Sequence, residues 1–227
     1  MAFFEWFNQL DTQWFLALNG CHNPFFDRFF TLFTSKEVWF PLYVLLIVVF
    51  IEKYRYQAVW VILFFVLAIL LSDQISGLVK DLVQRFRPTH QPALNGLVHA
   101  PSGKGGLYGF VSSHAANSFA LTFLLGFVVR RKRVWVAFLL WAILTSYSRI
   151  YVGVHYPLDV LLGAVLGGLI GWGIYRLLIA FDNRFQRKKI FKDGIWKLRD
   201  VRPILIALIF ITITLFVVAM ILPKYNI

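Results

Sequence analysis

Six strongly apolar runs, each closed off by charged residues, leave this chain few ways to fold. They cover residues 38–51, 58–79, 112–129, 134–147, 158–178 and 203–222. At about 1.5 Å of rise per residue the longer runs match a hydrocarbon layer of about 30 Å, whereas the first is short unless residues 29–33 extend it. Inside lipid every backbone N–H and C=O must find a partner within the segment, which favours helices. The expected fold is therefore all-α: a polytopic membrane bundle of about six transmembrane helices, forming one domain over residues 1–227. Composition agrees, because 59% hydrophobic residues against 15% charged ones cannot clothe a soluble globule of this size. The 23 Lys and Arg against 11 Asp and Glu cluster between apolar runs, which points to membrane topology rather than to nucleic acid. A single cysteine, Cys21, rules out an internal disulfide and a multi-cysteine metal site.

Residues 1–34 mix aromatic and polar side chains. Phe4, Phe7, Leu10, Trp14, Leu16 and Leu18 recur at near-helical spacing, which predicts an interfacial amphipathic helix followed by a turn at 20–24. The N-terminus lacks the basic start, apolar core and small-residue cleavage site of a signal peptide, so insertion is expected to rely on the internal runs. Lys53 and Arg55, the basic stretch 130–133 and the basic block 184–202 fall on one side of a six-span arrangement. The positive-inside rule makes that side cytoplasmic. The loop 81–111 and the segment 148–157 then share the outer face. In the fifth run Gly163, Gly167, Gly168, Gly171 and Gly173 recur every three or four residues, a pattern that lets a neighbouring helix approach closely.

The two outer loops carry the chemistry. Lys80, Arg85, Arg87 and Pro88 stand at the mouth of the second run, Ser112, Ser113 and His114 open the third, and Arg149, His155 and Asp159 join the fourth to the fifth. If a helix starts near Pro157, Asp159 lies about one turn from His155 and can take one imidazole N–H, leaving the other nitrogen as nucleophile or base. Lys80 and Arg87 are seven apart and share a face if their helix continues to Pro88, with Arg85 pointing elsewhere. Ser112 and Ser113 place free backbone N–H groups at a helix start, a geometry that binds phosphate. Each element also has a plainer reading: headgroup anchors for the cations, N-caps for the serines, an interfacial side chain for His114. Together they favour a substrate with several negative charges.

These residues resemble the three-part signature of the phosphatidic acid phosphatase type 2 superfamily, in the order Lys80 to Arg87 and Pro88, then Ser112 to His114, then Arg149 with His155 and Asp159. The second part differs, with Val111 and Ser113 where the family usually has proline and glycine; the N–H of residue 113 is kept. The resemblance implies a phosphohistidine formed on His155 with Asp159 holding the ring. His114 would protonate the leaving oxygen, and Lys80, Arg87, Arg149, Ser112 and the N–H of Ser113 would bind the phosphate. It implies no cofactor and no metal. The implied partner is a lipid phosphate in the bilayer: undecaprenyl diphosphate or a lipid A phosphate first, phosphatidylglycerophosphate or phosphatidic acid next. The expected location is the bacterial inner membrane, with the site on the periplasmic face. The competing class is a catalytically silent lipid-phosphate-binding or transfer protein, which would need the cations but not both histidines with Asp159.

Overall fold

The computed structural model describes residues 2–185, 190 and 196–222, with side chains from Trp6 onward. The basic block at 184–202 therefore lies partly outside the described residues. Among the described residues are eight α-helices: α1 (Ala2–Asn19), α2 (Pro24–Phe33), α3 (Phe40–Tyr54), α4 (Ala58–Val83), α5 (Ser113–Val129), α6 (Lys132–Tyr151), α7 (Pro157–Phe185) and α8 (Leu198–Ile221). Four stretches are long and apolar enough to cross a bilayer: Glu37–Val83, Lys132–Tyr151, Pro157–Phe185 and Leu198–Ile221. The first is a hairpin of α3 and α4, reversed around Arg55 at φ 56°. The protein is thus an all-α polytopic membrane bundle with an N-terminal helix, and leucine, isoleucine and valine on α4, α7 and α8 face outward as lipid-facing surfaces do.

Helix α5 sits at the centre, packed against α4, α6 and α7. Its contact with α7 depends on small residues at four-residue spacing. A Cβ on Gly163 would lie 2.6 Å from Ser112 O, one on Gly167 2.1 Å from Ala116 O, and one on Gly171 2.6 Å from Ala120 O. The backbones touch directly, as small residues in membrane helices permit. Gly168 meets only the Phe123 ring, and Gly173 meets nothing within 4 Å, so the glycine pattern is narrower than the spacing suggested.

Successive helices from α3 to α8 alternate in direction. At one end Lys53 pairs with Asp200 at 2.9 Å, Trp196 Nε1 donates to Tyr54 Oη at 2.9 Å, and Arg131 donates to the Trp196 carbonyl. Lys53, Arg131 and the described start of α8 are thereby gathered at that end. At the other end lie the start of α5, the end of α6 and the start of α7, together with α1 and α2.

Several boundaries differ from those the sequence predicts. Residues 29–33 do not extend α3; they belong to α2, which Asn23 caps by accepting from Phe25 N and Phe26 N at 3.1 and 2.9 Å. Helix α4 stops at Val83, where Gln84 turns left-handed at φ 50°, so Pro88 does not end it and Arg87 is not on it. Helix α6 continues to Tyr151 and carries Arg149 in its last turn. Pro203 does not open the last helix but lies inside α8 at its sixth residue, where it removes the N–H that would have bonded to the Arg199 carbonyl. Helix α1 is amphipathic in the opposite sense to a soluble one: Trp6, Trp14 and Leu18 face outward, while Asp11, Phe15 and Asn19 form its buried stripe.

The α5–α7 seam makes a direct prediction. Gly167→Val should lower the unfolding temperature in detergent by roughly 10 °C, the consequence of an overpacked helix contact, while Gly173→Ala shifts it by less than about 2 °C. Equal shifts in a thermal melt would mean that close approach at Gly167 is not what these glycines provide.

Candidate active site

Three remote segments meet at Asp159. It is fully buried at the third position of α7, a helix begun by Pro157. Its Oδ2 accepts from Tyr156 N at 3.0 Å and faces His155 Nδ1 at 3.4 Å, a long contact for a hydrogen bond. Its Oδ1 accepts from Arg85 Nη1 at 2.8 Å, and its backbone carbonyl accepts from Ser112 N at 2.9 Å. The start of α5, the start of α7 and the loop after α4 are therefore joined through one residue.

Arg85 is the main correction to the sequence reading. Because α4 ends early, Arg85 does not point away: it bridges Asp159 and Asp11, the latter through Nη2 at 2.7 Å, and lies over the Tyr156 ring at 4.1 Å. Burial opposes its charge, but Asp159 and Asp11 outweigh burial and raise its pKa. Asp11 also accepts from Leu158 N at 2.9 Å, so α1 caps the first turn of α7. The only sequence signal for Asp11 was a carboxylate four residues before Phe15 and eight before Asn19, one stripe of a helix otherwise read by its aromatic face.

Arg87 reaches the site by another route. A short antiparallel bridge between Phe86 and Tyr108 folds the loop back, with Arg87 N donating to Leu107 O at 3.0 Å and Gly109 N to Arg85 O at 2.9 Å. Arg87 Nε then donates to Tyr108 O at 3.0 Å, which leaves both terminal nitrogens available. Gly105 stands at φ +67°, a conformation that favours glycine, and a Cβ there would also sit 2.7 Å from Arg87 Nη1 and displace the end of that side chain. Gly109 is wedged in the same way, 3.1 Å from Asp159 Oδ2 and 3.5 Å from His155 Nδ1 at its ideal Cβ. Neither glycine could be singled out in a loop containing several.

Ser112 is the N-cap of α5, and its Oγ accepts from Ala115 N at 3.4 Å. Ser113 begins the helix, and its hydroxyl accepts from Lys80 Nζ at 2.5 Å and contacts Ser76 Oγ at 2.7 Å. The residue that replaces the expected glycine thus anchors the lysine. Arg149 Nη1 donates to Thr34 Oγ1 at 2.6 Å, while its buried Nε has no partner among the described residues. His114 makes no hydrogen bond among the described residues and lines a cavity of about 490 Å³ between α3, α4, α5 and α6. It lies within electrostatic reach of Arg149, His155 and Arg87. All eight residues singled out by sequence, Lys80, Arg87, Ser112, Ser113, His114, Arg149, His155 and Asp159, thus come to one end of the bundle.

His155 is 1% exposed, and burial pulls its pKa down to about 4 against the opposing pull of Asp159. At neutral pH the ring is neutral and its second nitrogen can act as a nucleophile. A cation cluster, a neutral buried imidazole and a second histidine thus stand together beside an apolar cavity. The chain belongs to the PAP2 superfamily, whose profile matches residues 61–182, and within it to the membrane lipid phosphatase branch. It is 36% identical over 186 residues to the lipid A 4'-phosphatase of Bacteroides thetaiotaomicron, covering 80% of this chain and 83% of that one. It is 32% identical over 164 residues to the undecaprenyl-diphosphatase of Sulfolobus acidocaldarius, covering 71% and 72%. The crystal structure of Aquifex aeolicus LpxE aligns with a TM-score of 0.60 at 29% identity, covering 74% of this chain and 95% of that one. The protein is accordingly a PAP2-type phosphatase acting on membrane lipid phosphates.

Two predictions follow from the geometry. Arg85→Met leaves Asp11 and Asp159 buried without their counter-charge, a loss on the order of 3–5 kcal/mol, so the unfolding temperature should fall by roughly 10 °C; an unchanged melt would remove Arg85 from its structural role. The depressed pKa of His155 sets the second. Its folded value lies below the ordinary imidazole value of 6.5, so stability falls as pH drops from about 6.5 towards 4, where the unfolded chain takes up the proton first. The acid limb of kcat/KM should correspondingly lie near pH 4, and a limb near pH 6.5 would mean that the ring is not desolvated.

Proposed function

We propose that the protein is a metal-independent phosphatase that removes a phosphate from a lipid phosphate or diphosphate through a phosphohistidine on His155. The observation that carries this reading is the buried His155–Asp159 pair, 3.4 Å apart, with Arg87 and Arg149 close enough to act electrostatically on the ring. In the first step His155 Nε2 bonds to phosphorus, the bond from phosphorus to the lipid oxygen breaks, and His114 gives that oxygen its proton. In the second, water loses a proton to His114 and attacks phosphorus, breaking the P–N bond and releasing inorganic phosphate. Asp159 holds the ring in the required tautomer. Lys80, Arg87, Arg149, the Ser112 hydroxyl and the N–H of Ser113 hold the non-bridging oxygens, where charge develops. Their fixed positive charges supply the field that a bound metal supplies in other phosphatases.

The substrate we favour is a bacterial envelope lipid, with a lipid A phosphate ahead of undecaprenyl diphosphate because of the longer and closer match to the Bacteroides thetaiotaomicron relative. The apolar cavity beside His114 suits a lipid tail. We further propose six crossings, α3 to α8, in one domain over residues 1–227. The described basic residues gathered at the far end, Lys53 and Arg131 among them, support a cytoplasmic assignment there, and with it a site on the periplasmic face of the inner membrane.

Phosphate release by the purified protein from a panel of lipid A, undecaprenyl diphosphate, phosphatidylglycerophosphate and phosphatidic acid tests the reading. His155→Ala should lower release about 10³-fold or more, and vanadate should inhibit the wild type as a mimic of five-coordinate phosphorus. Equal release by wild type and variant would end the enzyme reading and leave a lipid-binding protein.

A further inference from the structure

Two arginines at the site end, Arg85 and Arg149, are held in opposite ways. Arg85 lies between two carboxylates, Asp11 at 2.7 Å and Asp159 at 2.8 Å, so its charge is met inside the protein. Arg149 forms no ion pair among the described residues, and the one hydrogen bond its guanidinium makes among them runs from Nη1 to Thr34 Oγ1, at 2.6 Å. The charged side chain that acts on it, Arg87, is a second cation. A partly buried guanidinium without a counter-charge is unfavourable beside hydrocarbon unless a ligand supplies the missing anion.

Thr34 is well placed to hold it. It is the C-cap of α2, and its N–H donates to the Phe30 carbonyl at 3.0 Å. Helix α2 is in turn fixed against α6. The Phe30 ring packs on Tyr147 and Tyr151, with centroids 5.3 and 4.5 Å away, and Tyr151 Oη donates to Asp27 Oδ1 at 2.7 Å. Those tyrosines stand two residues to either side of Arg149, so the hydroxyl and the guanidinium it meets ride on one packed pair of helices. Trp39 Nε1 donates to the Phe33 carbonyl at 2.9 Å and ties the following turn to the same place. Thr34 and His114 also line the same cavity. A long arginine side chain loses rotamer freedom when it binds, and a fixed acceptor at its end removes that freedom beforehand.

We propose that Thr34 is a positioning residue for phosphate binding: its hydroxyl fixes the Arg149 guanidinium and, being neutral, leaves the positive charge for the substrate. This rests on the phosphatase reading above, in which Arg149 holds a non-bridging phosphate oxygen. A hydroxyl oxygen accepts a hydrogen bond without bringing a formal charge. A carboxylate in its place would make Arg149 a second Arg85, already neutralised before phosphate arrives. The contrast gives each arginine its task. One is neutralised and joins helices; the other is held but not neutralised and takes an anion.

Titration calorimetry of inorganic phosphate into the full chain in detergent, well below its unfolding temperature, reads this arrangement without any lipid. Thr34→Ser keeps the hydroxyl and should bind within about twofold of the wild type. Thr34→Val keeps the shape and should bind about tenfold more weakly, the loss of one hydrogen bond to a charged group. Thr34→Asp holds Arg149 but neutralises it, and should bind about a hundredfold more weakly. A threonine that serves only the fold would give no such order, since it has no reason to rank aspartate below valine. A wild type that takes up no phosphate, Thr34→Val binding as the wild type does, or Thr34→Asp binding better than Thr34→Val overturns the proposal. If Thr34→Asp does not fold, the serine and valine variants decide. Phosphate release from the lipid panel, run on the same preparations, keeps the two readings apart. The stated order of binding without release by the wild type sinks the phosphatase reading and keeps Thr34; release without that order does the reverse.

Discussion

Everything at the site end of the bundle depends on burying the Asp159 carboxylate with its partners. A lone carboxylate in a low-dielectric interior would take up a proton. Here Arg85 lies 2.8 Å from one oxygen and the Tyr156 N–H 3.0 Å from the other, so the charge is matched on both sides. Arg85 is in turn held by Asp11 on α1, which makes the N-terminal helix part of the site rather than an attachment to it. The same residue's carbonyl fixes Ser112 at the start of α5. One ion-pair network therefore sets the positions of three helices, and the side chains at their ends inherit those positions.

Such a network is rigid because each member lacks alternatives. Charged groups remote from bulk water cannot trade partners cheaply, so Arg85, Asp11 and Asp159 hold one arrangement. The glycine seam between α5 and α7 serves the same end. Gly163 brings the backbone of α7 against Ser112, and four residues earlier Asp159 bonds to the same serine, so helix packing and site geometry are one constraint.

The membrane bundle was legible in the sequence because hydrocarbon burial leaves a strong signal of length and composition. So were Lys80, Ser112, His114, Arg149, His155 and Asp159, since charged and imidazole groups beside apolar runs are few. Arg85 was misplaced for a specific reason: its direction was deduced from a helix assumed to continue to Pro88, and a left-handed Gln84 ends that helix early. A left-handed residue other than glycine carries little sequence signal. Helix α2 was missed because its run of phenylalanines reads as the start of a span, and Asp11 because α1 was judged by its outward aromatic face. Gly105 and Gly109 act through space they leave for Arg87 and His155, and no pattern along the chain encodes that.

Ser113 shows how a departure from the family's motif can be accommodated. A glycine there would leave the Lys80 ammonium, near the mouth of an apolar bundle, with the Ser76 carbonyl at 3.2 Å as its one hydrogen-bond acceptor among the described residues. The serine hydroxyl adds a second partner at 2.5 Å and is itself held by Ser76 Oγ. Because the new group is a side chain, the backbone N–H at the first position of α5 is still unpaired within the helix and still points at the mouth. The substitution therefore gives Lys80 a fixed protein partner at the mouth of the bundle without removing the helix N–H that a glycine would also have offered.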